Sequence, residues 1–499
     1  MWQDVLGGFA AVFEPVHLLI LLSAIFIGFL GGALPGISGT MLVIILLPIT
    51  YGMDTVGAFL MLTAIYASTV FSGLISAIMF RTPGTPEAIA TVFDGYPMAQ
   101  KGQPGQALGV GILSSATGGL IGTIFLIFLT PILASIALRF SAPEYFALAA
   151  LGLTVVASLS GKDLIKGFIG VFFGLFIATI GMDALSGTPR FHFGNNNLMT
   201  GVELIPVLIG LFAISEILRK SREDHHLKQT LGKVKTKIFD SKIIKTIVPT
   251  IARSSLLGTA IGILPGVGAT TAAMLSYSEA VRWSKRPEKF GTGIPEGIAA
   301  PESANNAAAM GALVPLFALG IPGSATTAVI LGAFILHGLQ PGPNLLVTER
   351  PLMYAIFAGL LIVNASIVLF SKPFISLFAK LMKVPYTILG PIIVVLCLIG
   401  TYAVRNSLFD VWIMILFGII GYYFEHIKFP LATVILGVVL GPIAESEFRR
   451  GLQMVGGDYA AFFSRPITAV LLGIAVLLIV IPLLKSLFKS RRKPSEGVN

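Results

Sequence analysis

The side chains with most to offer chemically lie in one run, PESANNAAAMGALVPLFALGIPGSATT. There Ser303, Asn305, Asn306, Ser324, Thr326 and Thr327 stand among alanines and glycines. Amides and hydroxyls bind small anions and alkali cations, and beside small residues they lie where helices approach closely. The run contains the triplet Pro322, Gly323, Ser324. An earlier triplet, Pro83, Gly84, Thr85, follows Arg81 in MFRTPGTPEAIA. Proline and glycine interrupt a helix and free backbone groups that cannot face lipid. The half-helix that restarts after such a break offers N–H groups and a positive dipole end to an anion, and unwound carbonyls can hold sodium. Carboxylate binding with ion coupling is the predicted chemistry. Arg81 suits a counter-charge as well as it suits snorkelling to headgroups; Glu87 and Asp94 are free to pair with it or to stay in water. Single hydroxyls at helix contacts often serve packing alone. The two tips together with the asparagine pair are harder to explain that way, because buried amides in a membrane need partners.

Elements that position such residues must cross a membrane. The 499 residues are 55% hydrophobic and only 12% charged, with a mean hydropathy of +0.89, too apolar for a soluble surface. Spans of about 20 apolar residues suit a bilayer core, and about eleven or twelve hydrophobic segments are predicted. Lys plus Arg exceed Asp plus Glu by 34 to 24. In a membrane protein this excess counts through its location, which argues against nucleic-acid binding. The single cysteine, Cys397, forms no internal disulfide and no cysteine-based metal site, and is read as packing. No Lys or Arg precedes Arg81, so no cleavable signal peptide is expected.

Charge suggests orientation. The polar stretch from Arg219 to Lys245 carries nine Lys/Arg against three Asp/Glu, and the tail carries Lys485, Lys489, Arg491, Arg492 and Lys493. The positive-inside rule places both in the cytoplasm and the N-terminus in the periplasm. The chain also repeats itself: GALPGISGT at 32–40 returns as GILPGVGAT at 262–270, and the two proline-glycine tips follow in the same order. The exit loop after the first LPG helix, YGMDT, has no basic residue, whereas RWSKRPEK has four. An inverted repeat is therefore expected, with broken or re-entrant helical hairpins. Its parts are a first membrane repeat over 1–218, a basic cytoplasmic linker over 219–246, a second membrane repeat over 247–484 and a basic cytoplasmic tail over 485–499. The fold class is all-α, polytopic and integral to the membrane. The LPG breaks add Pro35, Gly36, Ser38, Thr40, Pro265, Gly266 and Thr270 as hairpin-tip or ion-coupling candidates.

These motifs resemble the large membrane subunit of the tripartite tricarboxylate transporters. The likeness runs over nearly the whole chain and is strongest in LPGISGT, in TPGTPEAIATVFDGYPMAQKGQPGQALG, in LPGVGA and in APESANNAAAMGALVPLFALGIPGSATTAVILGAFILHGLQPGP. The resemblance implies a secondary active carrier of the bacterial inner membrane, driven by a sodium or proton gradient. It implies two partners, a small four-helix membrane subunit and a periplasmic solute-binding protein, and citrate-like di- and tricarboxylates as substrates. It implies no cofactor and no metal beyond a coupling sodium ion. Carried over by residue, the site falls on Pro83, Gly84, Thr85, Asn305, Asn306, Pro322, Gly323 and Ser324, to which the residue chemistry adds Arg81, Ser303 and Thr326. Arg81 and Glu87 depart from the family pattern. An elevator-type movement is the expected mechanism.

Two rivals come from other classes. GISG at 36–39 has the Gly-x-Ser-Gly form of intramembrane serine hydrolases, yet the equivalent of Ser38 in the second copy is Gly268, and none of the six histidines is an evident general base. No enzyme activity is expected. A passive anion channel needs a continuous polar pore, whereas the polar groups here gather at helix breaks. His337 is read as a helix-end residue, and His225 and His226 as surface residues.

Overall fold

The computed structural model describes residues 2–34, 37–159, 164–183, 185–221, 241–381 and 386–490. Pro35, Gly36, His225, His226, most of the basic linker and the end of the tail lie outside them. Among the described residues, eight helices are long and apolar enough to cross a membrane, and five shorter apolar helices accompany them. Their outward faces carry Leu19, Phe128, Ile169, Leu369, Trp412 and Val470 in the open. Apolar surface on this scale is tolerated in lipid and not in water. The chain is an all-α polytopic membrane protein. The one sheet among the described residues is the antiparallel pair Gly181–Met182 and Pro189–Arg190.

Two compact units form. One comprises 1–138 with 203–427, the other 139–202 with 428–499, so each takes chain from before and after the linker.

In the larger unit the repeat is visible element by element. Pro15–Ala33 ends at Leu34 and a new helix starts at Ser38 as Gly39–Leu46, and Ser241–Ile263 breaks at LPG and restarts as Gly268–Trp283. Gly266 and Gly268 hold the second break at φ 80° and 74°, where an L side chain is strained. At 16 residues, Gly268–Trp283 is about 24 Å long and cannot span a core of about 30 Å alone. After each broken pair comes a central helix, Thr55–Phe80 in the first copy and Glu296–Gly311 in the second. The most apolar window of the first is wholly buried, as is every residue from Gly297 to Gly311 in the second. Both pack on their hairpins through glycine. A Cβ on Gly32 would collide with the Thr69 carbonyl, and one on Gly262 with the Ala308 carbonyl. This is the small-xxx-small packing that lets membrane helices touch backbone to backbone.

The smaller unit is built the same way. Leu164–Ala178 lies on Leu431–Met454, with Gly174 against the Val434 carbonyl and Gly437 against the Val171 carbonyl. The loop before residue 203 is tied down by charge. Arg190 donates to both carboxylate oxygens of Glu445, at 2.7 and 3.2 Å, and Arg449 donates to Asp183 at 2.7 Å. The Ser186 hydroxyl and then Arg449 hold the Asp183 carboxyl well below the usual carboxylate range.

Candidate functional site

Each central helix ends at a proline-glycine tip. Arg81 closes Thr55–Phe80 in the left-handed conformation at φ 58°, and Gly320 closes Leu313–Leu319, which continues the second central helix, at φ 71°. Both stand two residues before the tip proline. Glycine meets this backbone demand freely, whereas arginine is strained there by about 1 kcal/mol. The guanidinium of Arg81 lies 5.9 Å from the centre of the Tyr96 ring. With Phe93, Gln100, Tyr277 and Gly291 these two residues line a cavity of about 520 Å³. Arg81→Gly is expected to raise stability by about 1 kcal/mol, read as a higher unfolding temperature of the purified protein. An unchanged or lower value would contradict the strain.

The tips fold back onto their own helices at matching places. Gly84 N–H donates to the Gly73 carbonyl at 3.2 Å. A Cβ on Gly323 would stand 2.8 Å from Ala312 Cα and from its carbonyl oxygen. Pro322 and Gly323 are buried, Pro83 half-buried. Ser324 starts the Ala325–Leu336 helix with a capping box: its hydroxyl accepts from Thr327 N–H, and its own N–H donates to Thr327 Oγ1 at 2.7 Å. The second LPG break touches this tip, since Gly266 N–H donates to the Gly323 carbonyl at 2.9 Å.

The copies also meet reciprocally. Tyr66 of the first central helix places its hydroxyl 3.5 Å from Ser324 Oγ at the second tip, longer than a good hydroxyl hydrogen bond. Asn305 of the second central helix donates to the Glu87 carbonyl, just past the first tip, at 3.2 Å. Tyr66 and Asn305 each lie seventeen residues before their own tip proline. Contacts exchanged in this way are what a two-fold relation between copies requires. Thr40, from the first LPG hairpin, shares a 2.7 Å hydroxyl hydrogen bond with Thr326 in the second copy.

Around Asn305 a buried polar chain continues. Asn306 donates to Asn305 Oδ1 at 2.7 Å and to the Glu302 carbonyl at 3.0 Å. Glu302 is fully buried; its carboxylate accepts from the Thr91 hydroxyl and, at 2.8 Å, from Ser115. Thr85 is 1% exposed, and its hydroxyl and Glu87 Oε2 are enclosed with no partner beyond each other.

Several predicted residues are therefore in contact: Asn305 with Asn306, Thr40 with Thr326, and Gly266 with Gly323, while Asn305 reaches the first tip at Glu87, two residues past Thr85. Others take local roles. The Ser303 hydroxyl returns to the Ala299 carbonyl of its own helix. Ser38 caps Gly39–Leu46 by accepting from Met41 N–H at 3.1 Å. Pro265 lies in the second break and Thr270 in the first turn beyond it. His337 closes Ala325–Leu336 and packs on Phe59. Asp94 neither pairs with Arg81 nor stays in water. Fully buried, it accepts from Gly291, Gly293 and Ile294 N–H and from the Tyr277 hydroxyl at 2.7–3.0 Å, pinning the loop that precedes the second central helix. Tyr66, Thr91, Ser115 and Glu302 were not singled out from sequence. Extending the repeat alignment backward from the tips would have set Tyr66 against Asn305.

The model of the tripartite tricarboxylate transporter TctA family matches residues 18–436. The chain is 38% identical over 486 residues, 97% of each chain, to an uncharacterized 52.8 kDa protein in the TAR-I ttuC' 3' region of Agrobacterium vitis. It is 41% identical over 234 residues to an uncharacterized protein in the TAR-II ttuC' 3' region of the same organism, covering 47% of this chain and 97% of that one. No solved structure matches.

Proposed function

As the chain belongs to the tripartite tricarboxylate transporter TctA family, we propose that it forms the substrate path of a binding-protein-dependent secondary carrier for small organic di- and tricarboxylates. The observation that carries this reading is the reciprocal one, in which each broken-helix tip meets a polar side chain on the central helix of the other copy. The capped helix start at Ser324 supplies a positive dipole end for a carboxylate, and the polar groups around it are shielded from lipid by the two buried central helices. Site groups shared between two related copies suit alternating access, because moving one copy against the other rebuilds the site. An elevator-type displacement is the movement we favour.

The partners in this proposal are a small four-helix membrane subunit and a periplasmic solute-binding protein, and the energy source is a proton or sodium gradient. The basic linker and tail favour an inner-membrane orientation with both in the cytoplasm and the N-terminus periplasmic. The test is uptake of a labelled carboxylate panel by liposomes holding the complex, with binding protein outside and a gradient imposed. Gradient-dependent accumulation of one carboxylate is expected, falling about tenfold in Asn305→Ala through loss of one buried amide partner. Flux that only equilibrates the substrate would instead mark a passive channel.

A further inference from the structure

The carboxylate of Glu302 is the least expected group in the larger unit. It sits in the middle of a helix whose every residue from Gly297 to Gly311 is buried, and no basic side chain among the described residues acts on it or on its acidic neighbour Glu87. Of the helices packed on it, Pro104–Ala137 has no ionisable side chain, and Thr55–Phe80 has only Tyr66. Arg253 of Ser241–Ile263 stacks on Trp283 at 5.5 Å, and Arg282 of Gly268–Trp283 pairs with Glu279 at 3.4 Å. Asp94, which packs on Gly297 at the start of the Glu302 helix, accepts from the Tyr277 hydroxyl and from the 291–294 loop. Enclosing an ionised carboxylate without a counter-charge costs several kcal/mol, and a second carboxylate nearby adds repulsion. The arrangement is completed by one positive charge.

The surroundings say which charge. Both Glu302 oxygens already accept from hydroxyls, Thr91 on one side and Ser115 on the other. A sodium ion beside these oxygens would have to widen both contacts and find further oxygen ligands, whereas a proton fits into an existing contact once one hydroxyl turns to accept. Next to this group, the Thr85 hydroxyl and Glu87 Oε2 are enclosed with no partner beyond each other, and Glu87 is joined to the second copy through Asn305. We infer that Glu302, with Glu87 beside it, takes up and releases the proton that couples the transport cycle. Uptake forms one O–H bond on a Glu302 oxygen and removes one negative charge from the core; release reverses both. Because Glu87 follows the first tip directly, the charge on Glu302 acts on the segment that carries the substrate groups.

This inference rests on the carrier reading and is tested alongside it with the whole complex in liposomes. A gradient of one pH unit is worth about tenfold accumulation per proton. Glu302→Gln, which keeps the shape of the protonated acid, is expected to lose that tenfold while substrate exchange across the membrane persists. Accumulation at wild-type level in Glu302→Gln, or wild-type uptake driven by sodium and indifferent to pH, would overturn the inference. A second readout needs no substrate. Infrared difference spectra across a pH step on the purified complex should show a carboxylic-acid C=O band that is absent in Glu302→Gln and displaced in Ser115→Ala. A band that survives Glu302→Gln also overturns the assignment. If the band behaves as expected but no carboxylate accumulates in the wild type, the proton site stands and the carrier reading fails.

Discussion

Gly84→Ala is expected to cut transport by about a hundredfold or more, the scale of loss when a site is displaced by about 1 Å. The added methyl would collide with the Gly32 carbonyl and stand 2.7 Å from Ser76 Oγ and 3.0 Å from Gly73 Cα. Two of these three neighbours are backbone and cannot rotate away, so the tip itself must lift. Lifting breaks the Gly84 to Gly73 hydrogen bond and carries Thr85 and Glu87 away from Asn305. Gly473→Ala, on a helix position with nothing within 4 Å, is the matched control. The measurement is initial uptake by reconstituted complex at equal protein. Equal rates in Gly84→Ala and Gly473→Ala would show that close seating of the tip is not required.

Asp94→Ala is expected to destabilise the larger unit by about 3–5 kcal/mol, the range for stripping a buried carboxylate from several donors at once. Three N–H groups from the 291–294 segment and the Tyr277 hydroxyl lose their acceptor together. Asp94→Asn should recover only part of this, because an amide offers one acceptor oxygen and turns an NH2 toward the remaining donors. Thermal unfolding of the purified complex reads the effect, and limited proteolysis at residues 284–295 locates it. Wild-type unfolding in both variants would mean that the loop is held elsewhere.

The helix breaks were legible in the sequence because proline and glycine act locally: LPG at 264–266, and the tips at Pro83 and Pro322, stop helices by their own stereochemistry. The repeat was legible for the same reason, since its landmarks are those breaks. Asn305 and Asn306 stood out because amides are rare in apolar runs. What stayed hidden depends on partners far along the chain. The acceptors of Asp94 and Glu302 are served by donors about 200 residues away, and charge spacing near Arg81 carries no record of backbone N–H groups at Gly291 to Ile294. Tyr66 passed as one more aromatic in a buried helix, and Arg81 drew attention for its charge when its backbone conformation is the more unusual feature. Ser303 shows the reverse, a hydroxyl in the same motif whose hydrogen bond goes to its own helix.

The division of the chain between its two compact units bears on how the protein is made. The smaller unit needs residues 139–202 and 428–499, and the larger needs 1–138 and 203–427. A ribosome working from the N-terminus therefore delivers the Thr55–Phe80 helix, with its tip, well before the Glu296–Gly311 helix that supplies Asn305. Leu164–Ala178 waits longer still for Leu431–Met454. Long-range pairing of this kind is slow and leaves surfaces open meanwhile. The nascent first copy must then wait in the bilayer without the Asn305 amide that later donates to the Glu87 carbonyl, so biogenesis should depend on whatever shields the first tip until the second copy emerges.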